Sequence, residues 1–326
     1  MHEHIFGDDA QFDQCHASTL VGSGDDRFLA AWFGGTEEGK NDVAIWSARR
    51  QGGQWSAPRR LAKVTELPHW NPALLAAPDG RIHLFFKVGS STKVWQTWTM
   101  ASDDGGETWS PPRELVVGDR GGRGPVKNKP IVLSDGAWLA GASLERKDGW
   151  DVFVDRSEDG GLSWQASDLV ARDRENFPGD GVIQPTLWGS APGRVHMLVR
   201  SSCGWICRSD SQDFGRTWTP LYKTDSPNNN SGIDLARLSD GALALICNPV
   251  GKDWGPRTPL SILLSFDNGE TWPRRLDLET DPGEFSYPAI ITTEDGLAVT
   301  YTWNRRRIAF WTGRAEDIPE LPSSSQ

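Results

Sequence analysis

Hydrophobic and polar residues alternate along this chain in short segments, and each segment follows a turn signal. Six times an Asp/Gly turn precedes an apolar strand, in "DDRFLAAWF", "DGRIHLFFK", "DGAWLAGAS", "GRVHMLVRS", "DGALALICN" and "DGLAVTYTW". No 3.6-residue periodicity persists between these segments, so the pattern does not predict helices. It predicts six units of short antiparallel strands.

A second motif marks the same units. The pattern Ser-x-Asp-x-Gly-x-(Ser/Thr)-Trp occurs at 102–109, 157–164, 211–218 and 265–272, and a weaker copy at 48–55 keeps only its glycine and tryptophan. The five tryptophans stand at 55, 109, 164, 218 and 272, which is a spacing of 54 or 55 residues. A short acidic side chain and a glycine are typical of a hairpin turn. So even a spacing indicates one supersecondary unit that is copied.

A period of about 54 residues with four antiparallel strands is typical of a propeller blade. We therefore predict an all-β fold, a six-bladed β-propeller, as a single domain over residues 1–326. The chain ends too soon for a sixth tryptophan motif, so the N-terminal residues are expected to complete the last blade. Residues 317–326 are expected to form a loose tail.

Composition narrows the range of partners. The formal net charge of -10 argues against nucleic acid, because phosphate binding needs a basic face. No apolar run reaches the roughly 18 residues that span a bilayer, and no signal peptide is recognisable, so we expect a cytoplasmic protein unless a signal was removed. The four cysteines, Cys15, Cys203, Cys207 and Cys247, are expected to be reduced and mostly buried. No spacing suggests a metal or a cofactor. The oligomeric state stays open.

The motif Ser-x-Asp-x-Gly-x-Thr-Trp resembles the Asp box, or BNR repeat, of the sialidase (neuraminidase) superfamily. Four good copies cover most of the chain. The resemblance implies a six-bladed propeller and an enzyme that hydrolyses a terminal sialic acid. It also implies a tyrosine nucleophile paired with a glutamate, an aspartate acid/base on a first-blade loop, and three arginines that bind the substrate carboxylate. The boxes themselves are structural, since fold alone does not fix function.

Strand direction locates the functional face. If strands A to D run from the axis outward, the Asp/Gly turn joins A to B and the Asp box joins C to D, so both lie on one face. The opposite face carries the start of each strand A, where proline follows a polar or aromatic residue in four units. The six ring positions predicted in this way are His16, Asn71, Lys129, Gln184, Asp234 and Tyr287. Ends of strands B add Lys87, Glu145, Arg200, Asn248 and Asn304.

Tyr287, in "SYPAIITTEDG", resembles the family's nucleophile at the start of strand A of the last blade. Arg200 and Arg257 resemble two of the three carboxylate-binding arginines. Asp42 resembles the acid/base aspartate by its place in the loop "FGGTEEGKND", in which Glu37 and Glu38 compete with it.

The sequence departs from the family at two positions. His16 stands where the first arginine is expected, and Gln184 stands where the glutamate partner of the tyrosine is expected. Glutamine cannot take the tyrosine proton. Asp234, Glu145 or His16 is the alternative base, and Lys129 or Arg305 is the alternative cation. Asn71 and Gln184 complete the predicted substrate-binding ring.

Three functions remain open at this stage. The first is an exo-acting glycosidase that removes a terminal acidic sugar, either sialic acid or a uronic acid. The second is a polysaccharide lyase in which His16 and Tyr287 move protons beside an arginine-neutralised uronate. The third is a propeller that binds a glycan without turnover, on tryptophans near the same face such as Trp150 and Trp254.

Overall fold

The structure is a computed structural model that describes residues 1–24, 26–175 and 177–322. Strands are numbered along the chain from β1 (His2–His4). Blade one contains β2 (Gln14–Gly22), β3 (Phe28–Gly35), β4 (Ala44–Gln51), β5 (Gln54–Trp55) and β6 (Arg59–Ala62). Blade two contains β7 (His69–Ala76), β8 (Ile82–Val88), β9 (Gln96–Ser102) and β10 (Arg113–Glu114). Blade three contains β11 (Ile131–Val132), β12 (Trp138–Arg146), β13 (Gly149–Ser157) and β14 (Gln165–Ala166).

The second half of the chain repeats this arrangement. Blade four contains β15 (Val182–Ala191), β16 (Arg194–Ser201), β17 (Trp205–Ser211) and β18 (Tyr222–Pro227). Blade five contains β19 (Asp234–Arg237), β20 (Leu243–Cys247), β21 (Leu260–Ser265) and β22 (Arg274–Glu279). Blade six contains β23 (Phe285–Thr293), β24 (Gly296–Trp303) and β25 (Arg307–Gly313). A single turn of 3-10 helix follows at Ala315–Asp317.

Each blade is an antiparallel sheet whose strands follow one another outward from the axis. In blade six the fourth strand comes from the other end of the chain, because β1 pairs with β25 and places His2 opposite Trp311. The predicted all-β, six-bladed propeller is confirmed. No helix among the described residues is both long enough and apolar enough to cross a membrane.

The Asp boxes form compact turns whose polar atoms bond to one another. In the first box Ser102 Oγ donates to Asp104 Oδ1 at 2.8 Å and accepts from the amide of Gly106 at 2.8 Å. The amide of Thr108 donates to Asp104 Oδ1 at 2.9 Å, and Trp109 Nε1 donates to the Gly106 carbonyl at 3.2 Å. The other three full boxes repeat the bonds made by the serine and the aspartate. The motif therefore folds locally and anchors strand C to strand D.

The innermost strands carry bulges at the opposite face. The pairing register shifts within β2, β7, β15 and β23, at the point where each strand begins. One residue at each bulge is left-handed: Ala17 with φ 54°, Asn71 with φ 40°, Gln184 with φ 58° and Tyr287 with φ 50°. Residues other than glycine seldom adopt positive φ, and bulges re-aim side chains next to functional sites. The bulges thus set the direction of the ring side chains.

The C-terminal segment differs from the expectation. Ile318 is only 1% exposed and packs in the core between blades five and six. The amide of Arg275 donates to the Pro319 carbonyl at 2.9 Å, and the amide of Leu321 donates to the Pro273 carbonyl at 2.7 Å. The prediction of a loose tail from residue 317 is therefore wrong for residues 318–321, which pair beside β22. Residues 323–326 of that prediction lie outside the described residues.

Candidate functional site

The phenol of Tyr287 lies at the start of β23, on the face opposite the Asp boxes. Arg200 Nη1, at the end of β16, donates to the phenol oxygen at 2.6 Å. Gln184 Nε2, at the bulge of β15, lies 3.5 Å from the same oxygen, and Gln184 Oε1 accepts from Arg200 Nη1 at 3.2 Å. The structure therefore brings three of the predicted residues from two blades to one oxygen atom.

The ring of Tyr287 is surrounded by an imidazole and two guanidinium groups. The centroid of the His16 ring lies 4.1 Å from that of Tyr287. Arg257 Cζ lies 5.4 Å and Arg200 Cζ 5.6 Å from the tyrosine centroid. Guanidinium groups at this distance from an aromatic face are attracted to its electrons. Tyr287 is half-buried.

His16 is a neutral imidazole in this environment. It is 1% exposed, and its Nδ1 atom has no hydrogen-bond partner among the described residues. Burial holds the pKa of His16 well below its usual value, and the positive charges of Arg305, Arg257 and Arg200 lower that pKa further. Where the family resemblance implied a cationic arginine, the chain has a buried and uncharged base.

Arg257 and Arg305 share one carboxylate. Arg257 Nη1 lies 2.6 Å and Arg305 Nε lies 2.7 Å from Oε1 of Glu284, and Arg305 also pairs with Glu38. Burial alone would raise the pKa of Glu284, but the two guanidinium groups hold it below its usual range. Because the Arg305 carbonyl accepts from the Cys15 amide at 2.8 Å, this arginine lies beside His16. Arg305 is thus the third arginine at the mouth of the funnel.

The ring positions follow a rule that the proline signal only partly captured. Asn71, Gln184 and Tyr287 each lie eight residues before the residue that precedes the glycine of the A–B turn. Those reference residues are at positions 79, 192 and 295. The same count in blades three and five gives Lys127 and Gly232 instead of Lys129 and Asp234. Lys127 has the left-handed backbone of the other ring residues, with φ 71°. Counting from the turn would have found it.

Lys127, which the sequence prediction missed, lies in the central channel. It is 3% exposed, and its ammonium group donates to the Ile233 carbonyl at 2.9 Å, to Asn128 Oδ1 at 2.9 Å and to the Pro288 carbonyl. Burial lowers the pKa of Lys127 to about 7. Its bond to the Pro288 carbonyl holds the backbone of the residue that directly follows Tyr287.

Lys129 and Asp234 point to each other rather than to the phenol. Lys129 Nζ lies 2.8 Å from Asp234 Oδ2 and also donates to the Leu235 carbonyl at 2.9 Å. Asp234 further accepts from Thr186 Oγ1 at 2.9 Å and from the Ile290 amide at 3.0 Å. Burial would raise the pKa of Asp234, but Lys129 and Lys127 hold it low. Asp234 ties four blades together, and its predicted role as a base for Tyr287 finds no support in these contacts.

Asp42 is engaged within its own loop. Its carboxylate accepts from the amide and the hydroxyl of Thr36, at 2.7 and 2.6 Å, and the hydroxyl bond lowers its pKa. Glu38, its neighbour in the same loop, is the residue that reaches Arg305.

Glu145 lies at the end of β12, and its pKa is raised, whereas that of Asp42 is lowered. Burial raises the pKa of Glu145, and the nearby carboxylates of Glu38 and Asp180 add to the rise. A hydrogen bond with Thr92 and the charge of Arg200 oppose it. A raised pKa favours the protonated form of a carboxyl group, which is the form that a general acid needs.

Two tryptophans flank Arg200. Trp150 and Trp254 make an edge contact with ring centroids 6.4 Å apart, and Arg200 Cζ lies 6.0 and 5.7 Å from them. Trp254 is 60% exposed. Asn230 accepts from Arg200 Nε at 2.8 Å and itself donates to Asp253 at 2.8 Å, which fixes the guanidinium plane. The exposed indole offers a flat apolar surface next to a cation.

Three arginines lie in and around the site of Tyr287. No group of three or more His, Cys, Asp or Glu side chains that could hold a metal lies together in the part of the chain that the structure describes. Arg200 and Arg257 lie against the ring of Tyr287, and Arg305 shares the Glu284 carboxylate with Arg257. Arginine is suited to a carboxylate because its fork can bind both oxygens.

Known proteins share this architecture. The BNR repeat-like domain family matches residues 26–299. A Hadza microbial sialidase, Hz136, superposes with a TM-score of 0.81 at 19% identity, covering 98% of this chain and 69% of its own. The NanB sialidase of Streptococcus pneumoniae has a TM-score of 0.78 at 14% identity, with 97% and 71% covered. A protein of unknown function from Dyadobacter fermentans has a TM-score of 0.75 at 17% identity, with 95% and 96% covered.

At these identities the solved structures show a common fold. No curated protein matches the chain. The family match spans most of the chain and agrees with the four Asp boxes and the six blades. The chain therefore belongs to the BNR repeat-like domain family.

Proposed function

We propose that this protein is an exo-acting glycosidase that hydrolyses the bond to a terminal acidic sugar, either sialic acid or a uronic acid. The observation that carries the proposal is the convergence of Arg200 and Arg257 on Tyr287, with Arg200 Nη1 2.6 Å from the phenol oxygen. A carboxylate bound by these arginines would bring its sugar ring against the phenol. The sialidases that share the fold make sialic acid the first substrate to test.

Each group has a role in this proposal. Tyr287 gives its phenol proton to the neutral imidazole of His16 and attacks the anomeric carbon, while the bond to the leaving oxygen breaks and that oxygen takes a proton from the general acid. Water then cleaves the bond between the tyrosine and the sugar, which restores the phenol. Arg200 donates to the phenol oxygen, while Arg257 and Arg305 hold the carboxylate and are themselves positioned by Glu284. Gln184 stands where the family resemblance implies a glutamate base. His16 supplies the base instead, as an uncharged imidazole beside the phenol.

The proton donor to the leaving group is assigned to Glu145 rather than Asp42. Glu145 lies near Arg200, which bonds to the phenol oxygen, and burial raises the pKa of Glu145, whereas Asp42 bonds to Thr36 within its own loop. Glu145→Gln is expected to remove the alkaline limb of the pH–rate profile, whereas Asp42→Asn is expected to leave its shape unchanged. The reverse result would return the role to Asp42.

A uronate lyase is the second candidate, and one observation favours it. His16 is a neutral base whose ring lies at a tilt against that of Tyr287, and no carboxylate bonds to the phenol among the described residues. In this reaction His16 removes the proton at C5 of a uronate, and Tyr287 gives a proton to the leaving oxygen. The arginines would neutralise the carboxylate and so stabilise the carbanion.

Product analysis separates the candidates. The purified chain is incubated with 4-methylumbelliferyl glycosides of sialic, glucuronic and galacturonic acid and with uronate-containing polysaccharides. Release of the fluorophore with a saturated sugar supports hydrolysis, and ultraviolet absorbance from an unsaturated uronate supports the lyase. Binding of these sugars, measured by calorimetry, without either product would leave a glycan-binding propeller and overturn both enzymatic candidates.

A further inference from the structure

Two cysteines face each other across the turn between β16 and β17. The segment "CGWIC" places Cys203 in the turn and Cys207 in β17, and their sulfur atoms lie 3.7 Å apart. Ser201 Oγ lies 3.0 Å from Cys203 Sγ. A disulfide needs a sulfur–sulfur distance of about 2.05 Å, so closing this gap takes a small movement of the turn.

The pair differs from the other two cysteines in access to solvent. Cys203 is partly exposed, whereas Cys207 is fully buried behind it. Cys15 is 1% exposed and Cys247 is 0% exposed. An oxidant from solvent can therefore reach one thiol directly, and a second thiol stands in contact with it.

The ionisation of the four thiols sets Cys203 apart, because the hydrogen bond with Cys203 and burial raise the pKa of Cys207 above its ordinary value. A hydrogen bond from Cys207 lowers the pKa of Cys203 to about 6, with a smaller contribution from Ser201. Burial raises the pKa of Cys15 above its ordinary value and that of Cys247 to about 12. The thiolate is the reactive form, so Cys203 is the thiol suited to react at neutral pH.

We propose that Cys203 is an oxidant-reactive thiol and that Cys207 resolves it, so that the two close a disulfide beside the mouth of the funnel. With a peroxide as oxidant, the Cys203 thiolate attacks one peroxide oxygen, the oxygen–oxygen bond breaks, and Cys203 becomes a sulfenic acid while hydroxide leaves. The Cys207 sulfur then attacks the Cys203 sulfur and water leaves. Two thiols and one hydrogen peroxide thus give one disulfide and two waters.

The position of the pair connects it with the site. Arg200 ends the strand that leads into this turn, and Trp205, 41% exposed, lies between the two cysteines. The turn is tied to the loop that holds Arg200, since the Asn228 amide donates to the Gly204 carbonyl at 3.0 Å and Asn228 Oδ1 accepts from the Ser201 amide at 3.1 Å. Oxidation would draw Cys203 toward the core and change the surroundings of Trp205. The proposal does not depend on the glycosidase assignment.

The test treats the folded chain with hydrogen peroxide, blocks remaining thiols with iodoacetamide after denaturation, and maps the peptides by mass. The expected result is a loss of two of four titratable thiols, with an intramolecular Cys203–Cys207 peptide about two mass units lighter than its reduced form. Reduction by dithiothreitol should restore both thiols. Tryptophan fluorescence of the same samples reports on Trp205.

Two variants identify the roles, with circular dichroism confirming that each is folded. Cys207→Ser should stop at the sulfenic acid, which dimedone labels at Cys203, and Cys203→Ser should lose no thiol at the same peroxide concentration. The proposal is overturned if all four thiols survive, if Cys15 or Cys247 reacts as fast as Cys203, or if the disulfide joins two chains on a non-reducing gel.

Discussion

The two faces of this propeller differ in the sequence distance between the residues that their hydrogen bonds join. On one face, each Asp box satisfies its polar atoms within eight residues, as Ser102, Asp104 and Thr108 do. On the other face, the bonds join residues that are distant in sequence, such as Arg200 and Tyr287 or Lys127 and Pro288. A turn that satisfies itself can be copied in every blade. A site that is built from unlike side chains cannot be a repeat: blade four supplies Gln184 and Arg200, and blade six supplies Tyr287.

Within the funnel, residues that stabilise the fold can be distinguished from residues proposed to act in the reaction. Asp234 lies in the funnel wall and bonds only to residues that are distant in sequence. These contacts, with Lys129, Thr186 and the Ile290 amide, are structural. Tyr287 also contacts residues that are distant in sequence, but its side chain is only partly buried. Substituting one residue of each kind therefore tests whether the funnel contains a chemical centre inside a structural ring.

The largest effect is expected from Asp234→Ala. The substitution leaves the Lys129 ammonium and the Ile290 amide without their partner in a buried channel, and breaking a buried ion pair of this kind costs about 3 kcal/mol. Urea unfolding followed by circular dichroism measures the loss. The double variant Lys129→Met with Asp234→Ala should recover part of it, because no unpaired cation then remains. A loss below about 1 kcal/mol would show that water replaces the carboxylate without difficulty.

Tyr287→Phe tests the chemical centre. If the hydroxyl acts in the reaction, turnover of the best acidic sugar substrate should fall at least about a hundredfold, equivalent to about 2.7 kcal/mol. Arg200 keeps Gln184 and Asn230 as partners, so the melting temperature should change little. The matched control is Tyr222→Phe, which removes a hydroxyl bonded to Asp210 at 2.8 Å on the outer strand of blade four. A rate near that of the parent chain would end the assignment of Tyr287.

The sequence predicted the fold because the fold is carried by local signals. The Asp boxes, the turns and the alternating strands each identify themselves within ten residues, and together they gave six blades. The tail was mispredicted because "DIPELPSSSQ" shows only one buried apolar residue, Ile318, and its partners in β22 are more than forty residues away.

The site was predicted less completely, for a related reason. Proline marked the ring in blades two, four and six, but in blade three it follows Lys129, two residues past the bulge, and so concealed Lys127. Glu284, which orients two arginines, has no motif of its own, since only the folded chain brings it to Arg257 and Arg305. Ion pairs between residues that are distant in sequence form only in the folded chain, so they produce no repeating pattern in the sequence.

Asp213→Ala measures what one Asp box contributes. The carboxylate accepts from the Thr217 amide at 2.9 Å, the Arg216 amide at 3.1 Å and the Ser211 hydroxyl at 2.8 Å. Losing these bonds at a largely exposed turn should reduce the unfolding free energy by about 1–2 kcal/mol, with kcat and KM unchanged. Gln212→Ala, at the adjacent variable position, should stay within about 0.5 kcal/mol of the parent. A change in KM with Asp213→Ala would contradict the separation of the two faces.

The smallest effect concerns the acid response of the boxes. Burial opposes ionisation of Asp267, but hydrogen bonds from the hydroxyl and amide of Thr271 lower its pKa to about 2. Since the folded pKa lies below the unfolded value of 3.8, the contribution to stability is complete above pH 4 and disappears as the pH falls through 2. Asp267→Asn should therefore flatten the dependence of unfolding free energy on pH between 4 and 2, by less than about 1 kcal/mol because solvent screens an exposed group. Urea midpoints across that range measure it, and Asp103→Asn is the control, because the Asp103 carboxylate pairs with Arg81 at 2.6 Å rather than with the turn of an Asp box. An equal flattening in both variants would mean that the acid response reflects net charge, and that the boxes owe their stability to backbone turns rather than to the ionised aspartate.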